Sequence, residues 1–368
     1  MKYKYKSEAV LMLEDGTVFH GRSLGKIGTK GGEICFNTGM TGYQEVYTDP
    51  SYFGQIIVTT NSHIGNYGVH PAEFEGPKPS IFGVVINSFS DLYSRKEASE
   101  SLQDYLESNG IVGIADIDTR KLVRHIRNKG AMNAIISSEI HDYEVLRAQL
   151  QEVPSMKGLE LSSKVCVSEP VLRKDENVET KRRVAVLDLG IKESILKHME
   201  SRGMECKVFP STTTYEEMKS WNPDGYFISN GPGDPAAMDY AVDTVQAILA
   251  EDKPMFGICM GHQILARAAG ISTYKMHSGH RGLNHPVKNV ISGRCEVTSQ
   301  NHGFAVSAEE VAKSDNVEVT HVNLNDNTVE GIRIKGKNAF SVQYHPESSP
   351  GPHDSHYLFD DFLTLMNN

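Results

Sequence analysis

Residues 255–270 limit the possible folds more than any other stretch. Met255 to Ile258 is a short apolar run that suits a buried strand. Ile264, Leu265 and Ala268 then fall on one face of a helix, and Gly270 can stop it. Between the two stands Gly257-Ile258-Cys259-Met260-Gly261-His262-Gln263. A strand that turns into a helix within one residue brings its neighbours very close. Small residues are therefore needed on both sides of the turn, and the residue at the turn takes a strained backbone. The G-x-C-x-G form is the cysteine counterpart of the nucleophile elbow. There the helix N-terminus stabilises a thiolate, and the Met260 N–H is free to donate to an oxyanion. Free cysteines are more often simply buried, and that reading is kept for Cys35, Cys166, Cys206 and Cys295, which lack this setting.

The stretch belongs to a half of the chain with one texture. Val184 to Leu189, Lys207 to Phe209, Tyr226 to Ser229 and Met255 to Ile258 read as strands separated by helical stretches. Ile195, Leu196 and Met199 mark one of those helices, from Glu193 to Arg202. The alternation predicts an α/β domain over 183–368 with a mostly parallel central sheet, whose chemistry sits at the strands' carboxyl ends. The first half reads differently. Ala9 to Leu13 and Val18-Phe19 flank the turn signal Glu14-Asp15-Gly16, and Glu33 to Asn37, Gln55 to Thr60 and Phe82 to Ile86 are further strand runs. Helical spacing follows at Leu102, Tyr105 and Leu106, at Leu122, Val123 and Ile126, and at Tyr143, Leu146 and Leu150. Strands first and helices later predict a β-rich α+β domain over 1–155. Residues 156–182 read as a linker, because Glu169 to Arg183 is charged and offers little to bury.

The chain has 368 residues, long enough for two cores. Its 37 basic against 47 acidic residues give a net charge of −10, which argues against bulk binding to nucleic acid or anionic membrane. Five cysteines, an odd number with no C-x-x-C pair, argue against a disulfide framework or zinc ribbon. Met1 to Lys6 is basic but leads into Ser7-Glu8 rather than an apolar run, so no signal peptide is expected and the chain reads as cytoplasmic.

Other residues become meaningful beside the elbow. Tyr344-His345-Pro346-Glu347 follows the strand-like run Ala339 to Gln343. In an extended segment His345 and Glu347 point to the same side, where the carboxylate can orient the imidazole and complete a Cys–His–Glu triad. Ser229-Asn230-Gly231-Pro232-Gly233-Asp234-Pro235 follows a strand and is a rigid turn that can supply a second oxyanion donor. Taken alone it is equally a plain structural turn. Asn301-His302-Gly303-Phe304 reads as a polar loop. His277, His280 and His285, and the pair His353 and His356, have no compact ligand set around them, so no metal is expected. There is no G-x-x-x-x-G-K-[ST] loop and no G-x-G-x-x-G after a strand, so nothing suggests that this chain binds ATP or a dinucleotide.

With the cysteine elbow, the G-P-G-D-P loop and the H-P-E together, the second half resembles the class I glutamine amidotransferases. The first half narrows the resemblance. Leu13-Glu14-Asp15-Gly16-Thr17, Phe36-Asn37-Thr38, Met40-Thr41-Gly42-Tyr43-Gln44-Glu45, Thr48-Asp49-Pro50-Ser51-Tyr52 and Asp116-Ile117-Asp118-Thr119-Arg120 look like the small subunit of glutamine-dependent carbamoyl-phosphate synthase. Asn301 to Phe304, His345 to Glu347 and Ser349-Pro350-Gly351-Pro352 are similar to the same family, from about residue 8 to the C-terminus. The resemblance implies Cys259 as nucleophile and His345 as general base and acid, oriented by Glu347. It implies glutamine contacts at Ser51, Gly231, Gly233, Met260, Gln263, Asn301, Gly303 and Phe304. Met260 stands where the family commonly has Leu, a volume-conserving change at a backbone role. Ser348 stands where Ala is common.

The resemblance also implies a division of labour. This chain would split glutamine and carry no cofactor. A large subunit using ATP, a divalent metal and bicarbonate would receive the ammonia through an internal channel and make carbamoyl phosphate for pyrimidine and arginine biosynthesis. The first domain would mainly dock that partner, with Ser51 reaching the glutamine site. A higher oligomer of such heterodimers stays open. Two other readings remain: an amidotransferase subunit of another synthase, such as that of anthranilate synthesis, and a non-catalytic regulatory subunit. The extra N-terminal residues speak against the first, and the intact Cys259, His345 and Glu347 against the second.

Overall fold

In the computed structural model, which describes residues 7–367, Asp15-Gly16 reverses the chain as its sequence predicts. Gly16 takes φ +85°, its N–H donates to the Leu13 carbonyl, and the Asp15 carboxylate accepts from Thr17 N–H at 3.0 Å. The turn joins β1 (Glu8–Leu13) to β2 (Val18–Gly25) with Met12 opposite Val18. The Met1 to Lys6 segment, on which the absence of a signal peptide was argued, lies outside the described residues. Among those described, no helix is long and apolar enough to cross a membrane.

The chain divides into two compact units at Met156/Lys157. In the first, β3 (Thr29–Asn37), α1 (Tyr43–Thr48), β4 (Gln55–Thr59), β5 (His63–Ile64), β6 (Gly83–Val85) and β7 (Ser88–Phe89) follow the hairpin. Then come α2 (Leu102–Ser108), β8 (Val112–Ala115), α3 (Thr119–Lys129), β9 (Met132–Ser137) and α4 (Tyr143–Gln151). Seven strands close into a barrel in the order β1-β2-β8-β6-β4-β3-β9, while β5 and β7 pair apart from it. The two-residue period of β1 explains why its residues from Ala9 to Leu13 are all apolar. Val10 and Met12 pack beneath Leu146 and Leu150 of α4. Leu11 and Leu13 join a second cluster with Ile34, Ile56, Val85, Ile114 and Ile136 from five other strands. Burying each leucine contributes about 2 kcal/mol. α3 begins at Asp118, whose carboxylate accepts from Lys121 N–H at 2.9 Å, and stops at Gly130 with φ +98°.

This order corrects the expectation of strands first and helices later. β8 and β9 are inserted between the helices and close the barrel, so the helices cover a sheet completed only at residue 137. The first helix, α1, was not expected, because its six residues are too few to show a helical period.

In the second unit β10 (Val171–Arg173), β11 (Arg182–Leu187), α5 (Glu193–Glu200), β12 (Met204–Phe209), α6 (Tyr215–Lys219) and β13 (Gly225–Ile228) lead into α7 (Asp239–Ala250). After it come β14 (Met255–Ile258), α8 (Met260–Ala268), β15 (Thr273–Asn289), β16 (Cys295–Val306) and α9 (Ala308–Lys313). Then β17 (Val317–Asn323), β18 (Val329–Ile334), β19 (Ala339–Val342) and α10 (Tyr357–Leu365) complete the unit. The ten strands form one sheet, ordered β10-β12-β11-β13-β14-β19-β18-β17-β15-β16. Strands β12, β11, β13, β14 and β19 run parallel at its centre. The strands outside that centre pair antiparallel. The parallel reading thus holds for the centre, and the sheet as a whole is mixed.

Central strands are apolar on both faces because both are covered. Ala185 and Leu187 of β11 pack with Met218, Val245, Ile264 and Leu265 from α6, α7 and α8. Val184 and Val186 pack with Ile195, Met199, Phe359 and Phe362 from α5 and α10. The stretch read as a linker is built in. β10 pairs with β12, and Arg173 makes a bidentate contact with Glu193 at 3.0 and 2.7 Å and another with Glu200 at 3.0 Å. Its charges had counted against structure, yet the charge of Arg173 is what anchors it.

Candidate active site

The elbow forms where β14 meets α8. Cys259 has φ +53° and ψ −99°, a conformation that costs a non-glycine residue about 1–3 kcal/mol. Close approach dictates its glycines. A Cβ on Gly261 would collide with the Ile228 carbonyl oxygen at the end of β13, and one on Gly257 would lie 2.7 Å from the Gly261 carbonyl oxygen. The turn is fixed by Cys259 N–H donating to the Val342 carbonyl at 2.9 Å and Gly261 N–H to the Ser229 carbonyl at 3.0 Å. Met260 is the first residue of α8, so its N–H has no acceptor within the helix. His262 is a core residue: burial lowers its pKa to about 3, and Nδ1 pairs with Ser341 Oγ at 2.9 Å.

His345 and Glu347 meet, although not in an extended segment. His345 bridges to Ser299 of β16, and a turn follows in which Ser348 N–H donates to the His345 carbonyl. Pro346 favours that turn, and it brings His345 Nδ1 to 2.7 Å from Glu347 Oε1. The same oxygen is 2.9 Å from Lys192 Nζ, whose ammonium also donates to the Ser349 carbonyl at 2.8 Å. All three residues are almost fully buried. Burial opposes charge on the imidazole, but the Glu347 carboxylate and the neighbouring Cys259 outweigh it and raise its pKa to about 10. Burial likewise opposes charge on Glu347, yet Lys192 and His345 hold its carboxyl well below the usual range. His345 Nε2 is buried with no hydrogen bond within ordinary limits, and Cys259 is the other group near enough to perturb the ring. A loose nucleophile–base contact is common before substrate binds.

The remaining residues expected from the sequence divide by unit. Gln263 Nε2 donates to the Phe304 carbonyl at 2.9 Å and to Gln343 Oε1 at 3.0 Å. Cys259 Sγ lies 3.7 Å from the Asn301 carbonyl and 3.6 Å from Gln343 Nε2. Asn301 to Phe304 is therefore not a free loop. It is the interior of β16, paired with β15, and its polar composition concealed the strand. A Cβ on Gly303 would lie 3.1 Å from Arg281 Nη2 and 3.3 Å from Lys275 Nζ. Gly231 and Gly233 stand just beyond β13; a Cβ on Gly231 would collide with the Leu189 carbonyl, and Gly233 needs φ +100°. Ser51 belongs to the first unit, on a short 3-10 turn where its N–H donates to Asp49 Oδ1 at 2.8 Å.

Lys192 and Gln343 are site residues that the sequence reading missed. Lys192 follows the first parallel strand, at the end where such sheets gather their chemistry, and that position was its signal. Gln343 is fully buried just after β19, and nothing in its local sequence marked it. The histidines also contained a grouping invisible in sequence. Among the described residues, ligand atoms of His280, His302 and Glu330 lie within 4.8 Å of one another, all buried, as a metal ion would require. The Gln300 amide oxygen already stands among them, 3.2 Å from His280 Nδ1 and 2.8 Å from His302 Nε2.

Residues 185–365 match the family model of class-I glutamine amidotransferases, and residues 11–136 match that of the carbamoyl-phosphate synthase small chain, CPSase domain. The chain is 48% identical over 360 residues to the carbamoyl phosphate synthase small chain of Chlorobaculum tepidum, with 97% of each chain covered. It is 47% identical to the small chain of a Synechococcus strain, with 100% of this chain and 96% of that one covered. For the small chain of Akkermansia muciniphila the identity is 46% over 97% of each.

Proposed function

This chain belongs to the family of carbamoyl-phosphate synthase small chains, the glutamine-hydrolysing subunit of that enzyme, and we propose that Cys259, His345 and Glu347 are its catalytic triad. The observation that carries the reading is the buried line Lys192–Glu347–His345 beside a cysteine held at positive φ. Two cations and one carboxylate leave room for one more negative charge, and a thiolate at Cys259 supplies it. The sulfur attacks the side-chain amide carbon of glutamine. Met260 N–H, with the Gly231–Gly233 turn, stabilises the oxyanion. The C–N bond breaks as the imidazolium protonates the departing nitrogen, leaving ammonia and a γ-glutamyl thioester. The imidazole then takes a proton from water, hydroxide adds to the thioester, and glutamate leaves as the thiolate returns. Glutamine and water become glutamate and ammonia.

Membership of this family implies partnership with a large subunit. Ammonia released into water would be protonated and diluted, so we read the product as channelled to that subunit. There ATP, with a divalent metal, and bicarbonate would yield carbamoyl phosphate for pyrimidine and arginine biosynthesis. Gln263, Asn301, Gly303 and Phe304 are proposed to contact the glutamine; the positions of Gln263, Asn301 and Phe304 around Cys259 support this. The test is Cys259→Ala in the complex with the large subunit. Glutamine-driven carbamoyl phosphate formation should vanish while ammonium salts still support it. Persistent glutamine hydrolysis by this variant would refute the triad.

A further inference from the structure

Behind the Asn301–Phe304 segment is a buried cluster that the mechanism leaves unused. Glu330 of β18 is fully buried. Its Oε1 accepts from Asn323 Nδ2 at 3.0 Å and Thr328 Oγ1 at 3.3 Å, and lies 3.4 Å from His280 Nδ1. His280 stands opposite His302 in the β15–β16 ladder, and its Nε2 is 2.8 Å from Asp326 Oδ2. The Gln300 amide bridges the two imidazoles, and His302 Nδ1 is 2.7 Å from the Phe304 carbonyl. That carbonyl also receives Gln263 Nε2. By its main chain, Glu330 accepts from Gln343 N–H at 2.8 Å, and Gln343 reaches Cys259.

These contacts make two routes from one residue to the site, one from its side chain and one from its main chain. The first runs through His280, Gln300 and His302 to the Phe304 carbonyl, and the second through Gln343 to the nucleophile. A buried carboxylate facing a buried imidazole is held mainly by the opposite charge, and removing one partner strands the other. His280 reflects this: burial opposes its charge, but Glu330 and then Asp326 outweigh it and raise its pKa. His302, more deeply buried and beside the His280 charge, is pushed well below its ordinary value.

We propose that Glu330 is a positioning residue for glutamine binding: paired with His280, it fixes Gln300 and His302, and through them the Asn301–Phe304 strand beside Cys259. The proposal rests on the reading of that strand as a glutamine contact. Glu330 touches no reacting atom, so its loss should raise KM and spare the chemical step.

The test is Glu330→Gln in the complex with the large subunit, together with His280→Gln and the double variant. Glu330→Gln should raise the glutamine KM at least about tenfold, equivalent to about 1.4 kcal/mol, with kcat within about twofold. Alkylation of Cys259 by iodoacetamide, which needs no glutamine site, should keep its rate. The double variant, which leaves no stranded charge, should recover part of the lost affinity. Ammonium-driven synthesis at the normal rate would show that the complex is folded and assembled. An unchanged KM, a fall in alkylation rate, or losses that multiply in the double variant would each overturn the proposal. Cys259→Ala run in parallel separates the two claims. If it still hydrolyses glutamine, the functional reading fails; if it is inactive while Glu330→Gln is normal, only the positioning role fails.

Discussion

Gly261→Ala sets two physical effects against each other at one atom. Gly261 is the second residue of α8, and a helical glycine replaced by alanine gains about 1 kcal/mol from propensity alone. Here the new Cβ would collide with the Ile228 carbonyl oxygen, a backbone atom in a central strand that cannot rotate away. Restoring van der Waals distance requires a displacement on the order of 1 Å, and overpacking of this kind costs about 1–3 kcal/mol. The collision therefore cancels or exceeds the propensity gain, and Tm should stay level or fall by about 2–8 °C. Activity should suffer more. The start of α8 carries Cys259 and the Met260 N–H, and misplacing reacting groups by about 1 Å costs about 100-fold in rate, or about 2.7 kcal/mol. The assay is glutamine-dependent turnover of the complex, with scanning calorimetry beside it. Gly28→Ala is the control, since its Cβ would lie 3.4 Å from Val112 Cγ2, an ordinary contact. A Gly261→Ala protein with raised Tm and wild-type kcat would refute the argument that space, not propensity, governs the elbow.

Two further substitutions test the charges behind His345. Glu347→Gln removes the main group favouring the imidazolium, so burial dominates and the alkaline limb of the pH–rate profile should move toward acid by more than about one unit. Stability should follow the same group. A pKa raised to about 10 on folding stabilises the wild type fully below the unfolded value near 6.5, and that contribution is lost as pH rises through about 10. Denaturant titrations across this window should show a decline that is absent in Glu347→Gln. Lys192→Met leaves the buried Glu347 carboxylate with His345 as its partner, and should cost stability at neutral pH by denaturant titration, but less than the about 3–5 kcal/mol of a fully stranded charge. It should also move the acid limb of the rate profile to higher pH, since Lys192 is the first group holding the Glu347 carboxyl low.

What the sequence disclosed was local. The elbow was legible because Gly257, Cys259 and Gly261 satisfy a constraint within a few residues, and the collisions at those glycines are the constraint itself. The Asp15-Gly16 hairpin was legible for the same reason. The pairing of His345 with Glu347 was expected, but through an extended segment, where the structure uses a turn. What stayed hidden depends on contacts distant in sequence. Lys192 joins Glu347 across more than 150 residues, and His280, His302 and Glu330 meet only because β15, β16, β17 and β18 stack side by side. β8 and β9 escaped notice because they are short and lie among helices, though they close the barrel. Charge misled at Arg173, whose two carboxylate partners are on α5.

The most direct test of the central claim is to trap the acyl enzyme. The complex is mixed with radiolabelled glutamine, quenched in acid within one turnover, digested and mapped. A thioester-bound label on the Cys259 peptide, released by hydroxylamine and missing from Cys259→Ala, is the predicted result. Rapid glutamine hydrolysis with no label at Cys259, or with label on another residue, would contradict the account.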